Sequence, residues 1–234
     1  MNKGIFITGT DTGIGKTFVA CGLIRAMKEK GMNVCPIKPV ESGCRSVRGE
    51  LIPSDTKKLI KASGIDEPID LINPYRLKHP LAPSVAAKIE GVAINKKKIF
   101  SAYKRLSKKY DITVVEGAGG IMVPVYKKYL FLDLAKDLDI PVVIVARPGL
   151  GTINHTLLTI EALRSNGLSV AGVIINCAVK SGKGLSEKTN PEVIEKLGGV
   201  PVLGSVPHDN NTAFIPVKKV FVQIIEKMLL RLMG

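Results

Sequence analysis

The chain has 234 residues, 45% of them apolar, and a formal net charge of +14. This length and composition fit one folded α/β domain over 1–234 and exclude a disordered chain. No apolar run reaches the ~18–20 residues of a membrane helix, and no targeting segment precedes the first strand-like run, so the expected compartment is cytoplasmic.

The first predicted strand is Gly4–Thr8, and it runs into a glycine-rich turn. A helix follows from Phe18 to Lys28, then a strand at Asn33–Ile37, and Ser54-Asp55 opens the next helix. The stretch from Ile65 to Pro83 carries Pro68, Pro74, Pro80 and Pro83. These prolines argue against a helix and for a segment closing over a site or an interface. Further strands are expected at Ile112–Glu116, Val142–Ala146, Val170–Asn176 and Val200–Leu203. A helix is expected to run from His155 to Leu163 and to stop before Asn166-Gly167. Near the C-terminus, Val217, Val220, Phe221, Ile224, Ile225, Met228, Leu229 and Leu232 recur at helical spacing. That pattern is an amphipathic helix docked on the core. The short β-branched runs show little alternation, as in strands buried on both faces. The expected fold is therefore an α/β parallel sheet with helices on both faces, and the glycine-rich turn between its first strand and helix makes it a P-loop NTPase fold.

The strongest chemical signal is Gly9-Thr10-Asp11-Thr12-Gly13-Ile14-Gly15-Lys16-Thr17, placed where a strand becomes a helix. Backbone N–H groups in such a loop face a phosphate. Lys16 is the candidate for the β- and γ-phosphates, and the Thr17 hydroxyl for Mg²⁺. Gly13, Ile14, Gly15 and Phe18 are the further candidates for nucleotide contacts. Thr10 occupies the first glycine position of the strict motif, and Gly9 stands one residue earlier.

Glu116 ends an apolar strand and is followed by Gly117, Ala118, Gly119 and Gly120, which admit a ligand closely. It is a candidate Mg²⁺ ligand. Asp55 reads equally well as a ligand or as part of a helix start. Lys38, between Ile37 and Pro39, reads equally well as a solvated lysine or as a contact to transferring phosphate.

Several strings resemble the dethiobiotin synthetases. These are the phosphate loop itself, Lys38-Pro39-Val40-Glu41-Ser42-Gly43, Asn73-Pro74-Tyr75, Val115-Glu116-Gly117-Ala118-Gly119-Gly120 and Leu150-Gly151-Thr152-Ile153-Asn154-His155. They fall in the family's order and run from Gly9 to about Pro207. The resemblance implies ATP- and Mg²⁺-dependent closure of a ureido ring from 7,8-diaminopelargonic acid and CO₂. It implies catalytic roles for Lys16 and Lys38, and metal ligation by Thr17, Asp55 and Glu116. It places the diamine or its carbamate at Thr12, Lys38, Ser42 and Gly119. It places adenine at Asn176 with Val206, Pro207 and His208. The substrate carboxylate would be gripped by Leu150, Gly151, Thr152 and Asn154 of a second subunit, so a homodimer is implied. His155 is expected to pack or cap at the helix start rather than act as a base. The family has no counterpart for Asp209-Asn210-Asn211.

The positive charge admits two readings, a nucleic-acid binder or a solvated lysine-rich surface. The lysines are scattered, Lys180 and Lys183 among them, and aromatics do not interleave with them. The second reading is therefore preferred, with no nucleic-acid and no membrane partner. Cys21, Cys35, Cys44 and Cys177 lack metal-ligand spacing and read as free structural thiols. The rival class is a partition or septum-positioning ATPase, whose additional signature lysine is replaced here by Asp11. Lys218, Lys219, Lys227 and Arg231 on the last helix are the only hint of a membrane element.

Overall fold

The computed structural model describes residues 4–177, 184–208 and 215–233. Lys180, Lys183, Asp209-Asn210-Asn211 and the side chain of Arg231 lie outside the described residues. β1 (Gly4–Gly9) leads to α1 (Lys16–Glu29) and β2 (Val34–Ile37). Short strands β3 (Val40–Glu41), β4 (Arg45–Val47) and β5 (Glu50–Ile52) precede α2 (Ser54–Ser63). Next come α3 (Ile69–Ile72), β6 (Tyr75–Arg76), α4 (Pro83–Ile89) and α5 (Lys96–Lys109). β7 (Ile112–Gly120), β8 (Pro124–Tyr126), β9 (Tyr129–Leu130) and α6 (Phe131–Leu138) follow. The chain continues through β10 (Val142–Ala146), α7 (Thr152–Arg164), β11 (Val170–Asn176), α8 (Leu185–Gly198), β12 (Val202–Val206) and α9 (Ile215–Met233).

Six strands form one sheet in the order β12-β11-β10-β1-β7-β2, and every pair in it is parallel. Side chains alternate between two buried faces. Ile5, Ile7, Val114, Val143 and Ile174 point into a core with α1, α2 and α9. Phe6, Val115, Ile144 and Val173 point into a second core with α4, α5, α6, α7 and α8. Both faces are thus covered, which explains the unbroken apolar runs. α9 seats Val217, Phe221, Ile224, Ile225 and Met228 in the first core, so its apolar face is already occupied by protein. Among the described residues no helix is long and apolar enough to cross a membrane.

Several features depart from the expectations, among them an earlier start of α7, at Thr152 and not His155. Pro68 does not prevent a helix: the short α3 starts directly after it, where a missing N–H costs nothing. β12 begins at Val202, not Val200. Pro201 cannot donate to the ladder, although its carbonyl accepts from the Val173 N–H at 2.9 Å. β7 runs on past Glu116 to Gly120.

Candidate active site

The C-terminal ends of β1, β2 and β7 open into one cavity of about 720 Å³. This is the sheet edge where open α/β folds bind ligands. Its lining includes Thr12, Gly13, Gly15, Lys16, Thr17 and Phe18 from the phosphate loop and α1. Lys38, Ser42, Asp55, Glu116, Ala118 and Gly119 come from the neighbouring strand ends and from α2. Pro80, Leu81, Ala82 and Pro83 border it as well, so the proline-rich segment does close over a site.

The loop's conformation follows from its glycines. Gly13 has φ +75° and Gly15 φ +86°, the left-handed region open to glycine. Gly9 is needed for a different reason. A Cβ there would sit 3.0 Å from the Lys16 Nζ and 3.0 Å from the Asp11 carbonyl, besides striking Ile14. The close approach therefore falls at Gly9, and Thr10 is free to donate its N–H to the Val145 carbonyl at 3.0 Å. Lys16 lies back across the loop and donates to the Asp11 carbonyl at 2.8 Å. Burial, and then the nearby Lys38 charge, bring its pKa down to about 8.

Glu116 is the centre of the polar cluster. Its Oε1 accepts from the Thr17 hydroxyl at 2.7 Å and from the Lys38 ammonium at 2.5 Å. Lys38 also donates to the Gly117 carbonyl at 3.1 Å and stands 3.8 Å from the Asp55 carboxylate. Its side chain is only 4% exposed. Burial alone would lower its pKa, but Glu116 and then Asp55 outweigh that and raise it above the ordinary lysine value. Lys38 is thus a buried, paired cation and not a solvated lysine. Asp55, whose sequence reading was open, faces the same cavity.

The residues present fit a Mg²⁺ ion. The second oxygen of Glu116, Oε2, is buried with no hydrogen-bond partner. The Thr17 hydroxyl bonds the other oxygen of Glu116, and the Asp55 carboxylate lines the same cavity, so the available donors are all oxygen and suit a hard cation. Among the described residues no group of three or more His, Cys, Asp or Glu side chains gathers as a self-sufficient metal site. A cation here would complete its shell with water and phosphate, as Mg²⁺ does at nucleotide sites.

Two supporting residues carried no role in the sequence reading. Asn73 is fully buried, and its side-chain amide donates to the Lys38 carbonyl at 2.7 Å. Glu41 accepts from the first turn of α2. Their signal in the sequence was only their place in the quoted strings.

Other expected residues lie elsewhere. The Asn176 side-chain amide donates to the Ile14 carbonyl at 2.8 Å, so it braces the phosphate loop. Val206 is fully buried in the core and its carbonyl accepts from the Cys177 N–H at 2.9 Å, whereas Pro207 is exposed and His208 partly so. Leu150, Gly151, Thr152 and Asn154 do not line the cavity. They form the loop after β10 and the start of α7, with Gly151 at φ +83° and Leu150 85% exposed. His155 packs at this helix start, its Nδ1 3.3 Å from the Arg147 guanidinium, and Arg147 is 3.9 Å from the Asp11 carboxylate. The described cysteines are free thiols, with Cys21, Cys35 and Cys44 buried.

Comparisons with known proteins bear on the family and the fold. A family described as AAA domain matches residues 3–214. The chain is 46% identical to the "ATP-dependent dethiobiotin synthetase BioD" of Thermodesulfovibrio yellowstonii, covering 89% of this chain and 90% of that one. It is 46% identical to the protein of the same description from Methanocaldococcus jannaschii, over 86% of this chain and 92% of that one. Among solved structures it resembles the septum site-determining protein MinD of Pyrococcus horikoshii complexed with Mg-ADP, at TM-score 0.61 and 17% identity, covering 100% of this chain and 98% of that one. It also resembles a ParA family ATPase of Chlorobium tepidum at TM-score 0.58 and 14% identity, covering 98% and 99%. At such identities the structural likeness speaks for the fold, whereas the sequence likeness is close and nearly full-length. The chain belongs to the ATP-dependent dethiobiotin synthetases.

Proposed function

We propose that this chain closes the ureido ring of dethiobiotin from 7,8-diaminopelargonic acid, CO₂ and ATP, releasing ADP and phosphate. The observation that carries the reading is the convergence of Lys16, Thr17, Lys38, Asp55 and Glu116 on one cavity beside the phosphate loop. Relatives across most of the chain bear the dethiobiotin synthetase description.

The diamine first adds CO₂ through one amine, giving a carbamate and a proton. Thr12, Ser42 and Gly119, all on the cavity wall, would hold it. A carbamate oxygen attacks the γ-phosphorus, and ADP leaves. The second amine then attacks the carbonyl carbon of this carbamic–phosphoric anhydride, expels phosphate and closes the ring. No protein nucleophile takes part. The protein's work is alignment and charge stabilisation. Lys16 and Lys38 would neutralise the transferring phosphoryl group. Thr17, Asp55 and Glu116 would hold Mg²⁺, which would supply further positive charge for the phosphoryl transfer. Lys38 would exchange its bond to Glu116 for one to the substrate as charge develops.

The loop at Leu150–Asn154 lies outside this cavity, yet its glycine-started helix suits a carboxylate. We take it to serve the cavity of a second subunit in a homodimer, each chain being one P-loop domain. The septum-positioning ATPases share the fold, but Asp11 stands at their signature lysine, and the last helix is docked on the core.

A turnover assay with ATP, Mg²⁺, bicarbonate and the diamine tests the reading by mass spectrometry. The expected product is the diamine plus CO less two hydrogens, formed only with ATP. ATP hydrolysis without it, accelerated by DNA or lipid, would overturn the reading.

A further inference from the structure

We propose that Glu41 is a positioning residue: its buried carboxylate fastens the first turn of α2 and thereby aims Asp55 at Lys38 and the metal site. The proposal rests on the reading of Asp55 as a metal ligand.

Glu41 is 4% exposed. A carboxylate so buried is costly unless its oxygens are bonded. Here both are. Oε1 accepts from the Asp55 N–H at 2.9 Å. Oε2 accepts from the Thr56 N–H at 2.9 Å and from the Thr56 hydroxyl at 2.7 Å. The first turn of a helix has backbone N–H groups without intrahelical partners. α2 has Pro53 before it, which provides no side-chain cap. Glu41, from a different strand, takes over that task, and its negative charge also suits the positive end of the helix dipole.

The other end of the link is equally fixed. β3 pairs with β6, and the Glu41 carbonyl accepts from the Leu77 N–H at 2.8 Å. Three residues earlier, the Lys38 N–H donates to the Ile72 carbonyl at 2.7 Å, and Asn73 holds the Lys38 carbonyl. One short backbone segment, 38–41, therefore sets both Lys38 and the helix end that carries Asp55. Their charged groups meet 3.8 Å apart as a result. Glu41 borders the cavity, but both its oxygens are bonded to α2, which fits a structural link to Asp55 better than a direct hold on the diamine.

The test is Mn²⁺ titration by electron paramagnetic resonance in the presence of ADP, with Mn²⁺ standing in for Mg²⁺. Glu41→Ala is expected to weaken Mn²⁺ binding about ten- to hundredfold, the range typical of partners behind a metal ligand. It should leave metal-free ADP affinity and the KM for the diamine unchanged. Glu41→Gln, which keeps the side chain's shape and one acceptor oxygen, should give a smaller loss in a protein that melts near the wild-type temperature. Adding Glu41→Ala to Asp55→Ala should cost nothing further, because Glu41 acts through Asp55. Additive losses, or normal Mn²⁺ binding in both Glu41 variants while Asp55→Ala weakens it, would overturn the positioning role alone. Normal Mn²⁺ binding in Asp55→Ala would remove Asp55 from the metal site, and the proposal with it.

Discussion

Lys16 and Lys38 enter the same cavity from opposite electrostatic situations. Lys16 is buried with little compensation, and its pKa falls to about 8. Because this lies below the ordinary 10.5, the unfolded chain holds more protons between these values. The stability burden of this group is thus full below about pH 8 and lifts as pH rises toward 10.5. A bound phosphate restores the charge. ADP binding near about pH 8.5 should therefore take up a fraction of a proton, read from binding heats in buffers of different ionisation enthalpy. Lys16→Arg, whose side chain stays charged, should abolish that uptake. Lys38 behaves differently, since Glu116 and Asp55 hold it charged. Its contact is expected to strengthen as the phosphoryl group transfers. Lys38→Ala should lower kcat by roughly 10²–10³ while nucleotide affinity changes little. Near-normal turnover would remove Lys38 from the mechanism. The variant should also melt lower without nucleotide, because Glu116 loses its buried cation. The phosphate loop was legible in the sequence because loop chemistry is local. The status of Lys38 and Asp55 was not, since their contacts join residues that only the fold brings together.

At the scale of elements, α1 links the phosphate loop to the core. It packs against α2 and α9. Gly22 in α1 lies under the Phe221 ring, and a Cβ there would strike the ring directly. In an exposed helix, glycine to alanine would stabilise by about 1 kcal/mol. Here Gly22→Ala should destabilise by roughly 1–3 kcal/mol through overpacking, measured by urea unfolding. A gain in stability would show that Phe221 can move aside. The sequence made α9 legible by its apolar stripe, and the six sheet strands by their buried β-branched runs. It did not draw attention to α5, where lysines dominate. Yet Ile99, Ala102 and Leu106 keep helical spacing there, and the Asn95 side chain caps the start by accepting from the Lys97 N–H at 2.9 Å. Charge density on the exposed face hid the apolar one. The 65–83 stretch was read correctly as a cover, but its fastening was not legible. Glu90 on α4's C-terminal side accepts from the Lys78 and His79 N–H groups at 3.0 and 2.9 Å.

For the whole molecule, the separation between the cavity and the Leu150–Asn154 loop is the feature behind the proposed homodimer. A mixed-dimer experiment tests it. Lys38→Ala disables one side of a site, and Gly151→Asp places a like charge where the carboxylate would be gripped. Co-assembled, the two inactive variants should regain about a quarter of wild-type activity, since half the dimers are mixed and each holds one intact site. No recovery would place that loop's role within its own chain. Ring closure through a carbamate can be followed with ¹⁸O-labelled bicarbonate, ATP, Mg²⁺ and the diamine. One labelled oxygen is expected in the released phosphate and one in the ureido carbonyl of the product. Unlabelled phosphate, or ATP consumed without a cyclised product, would contradict that route.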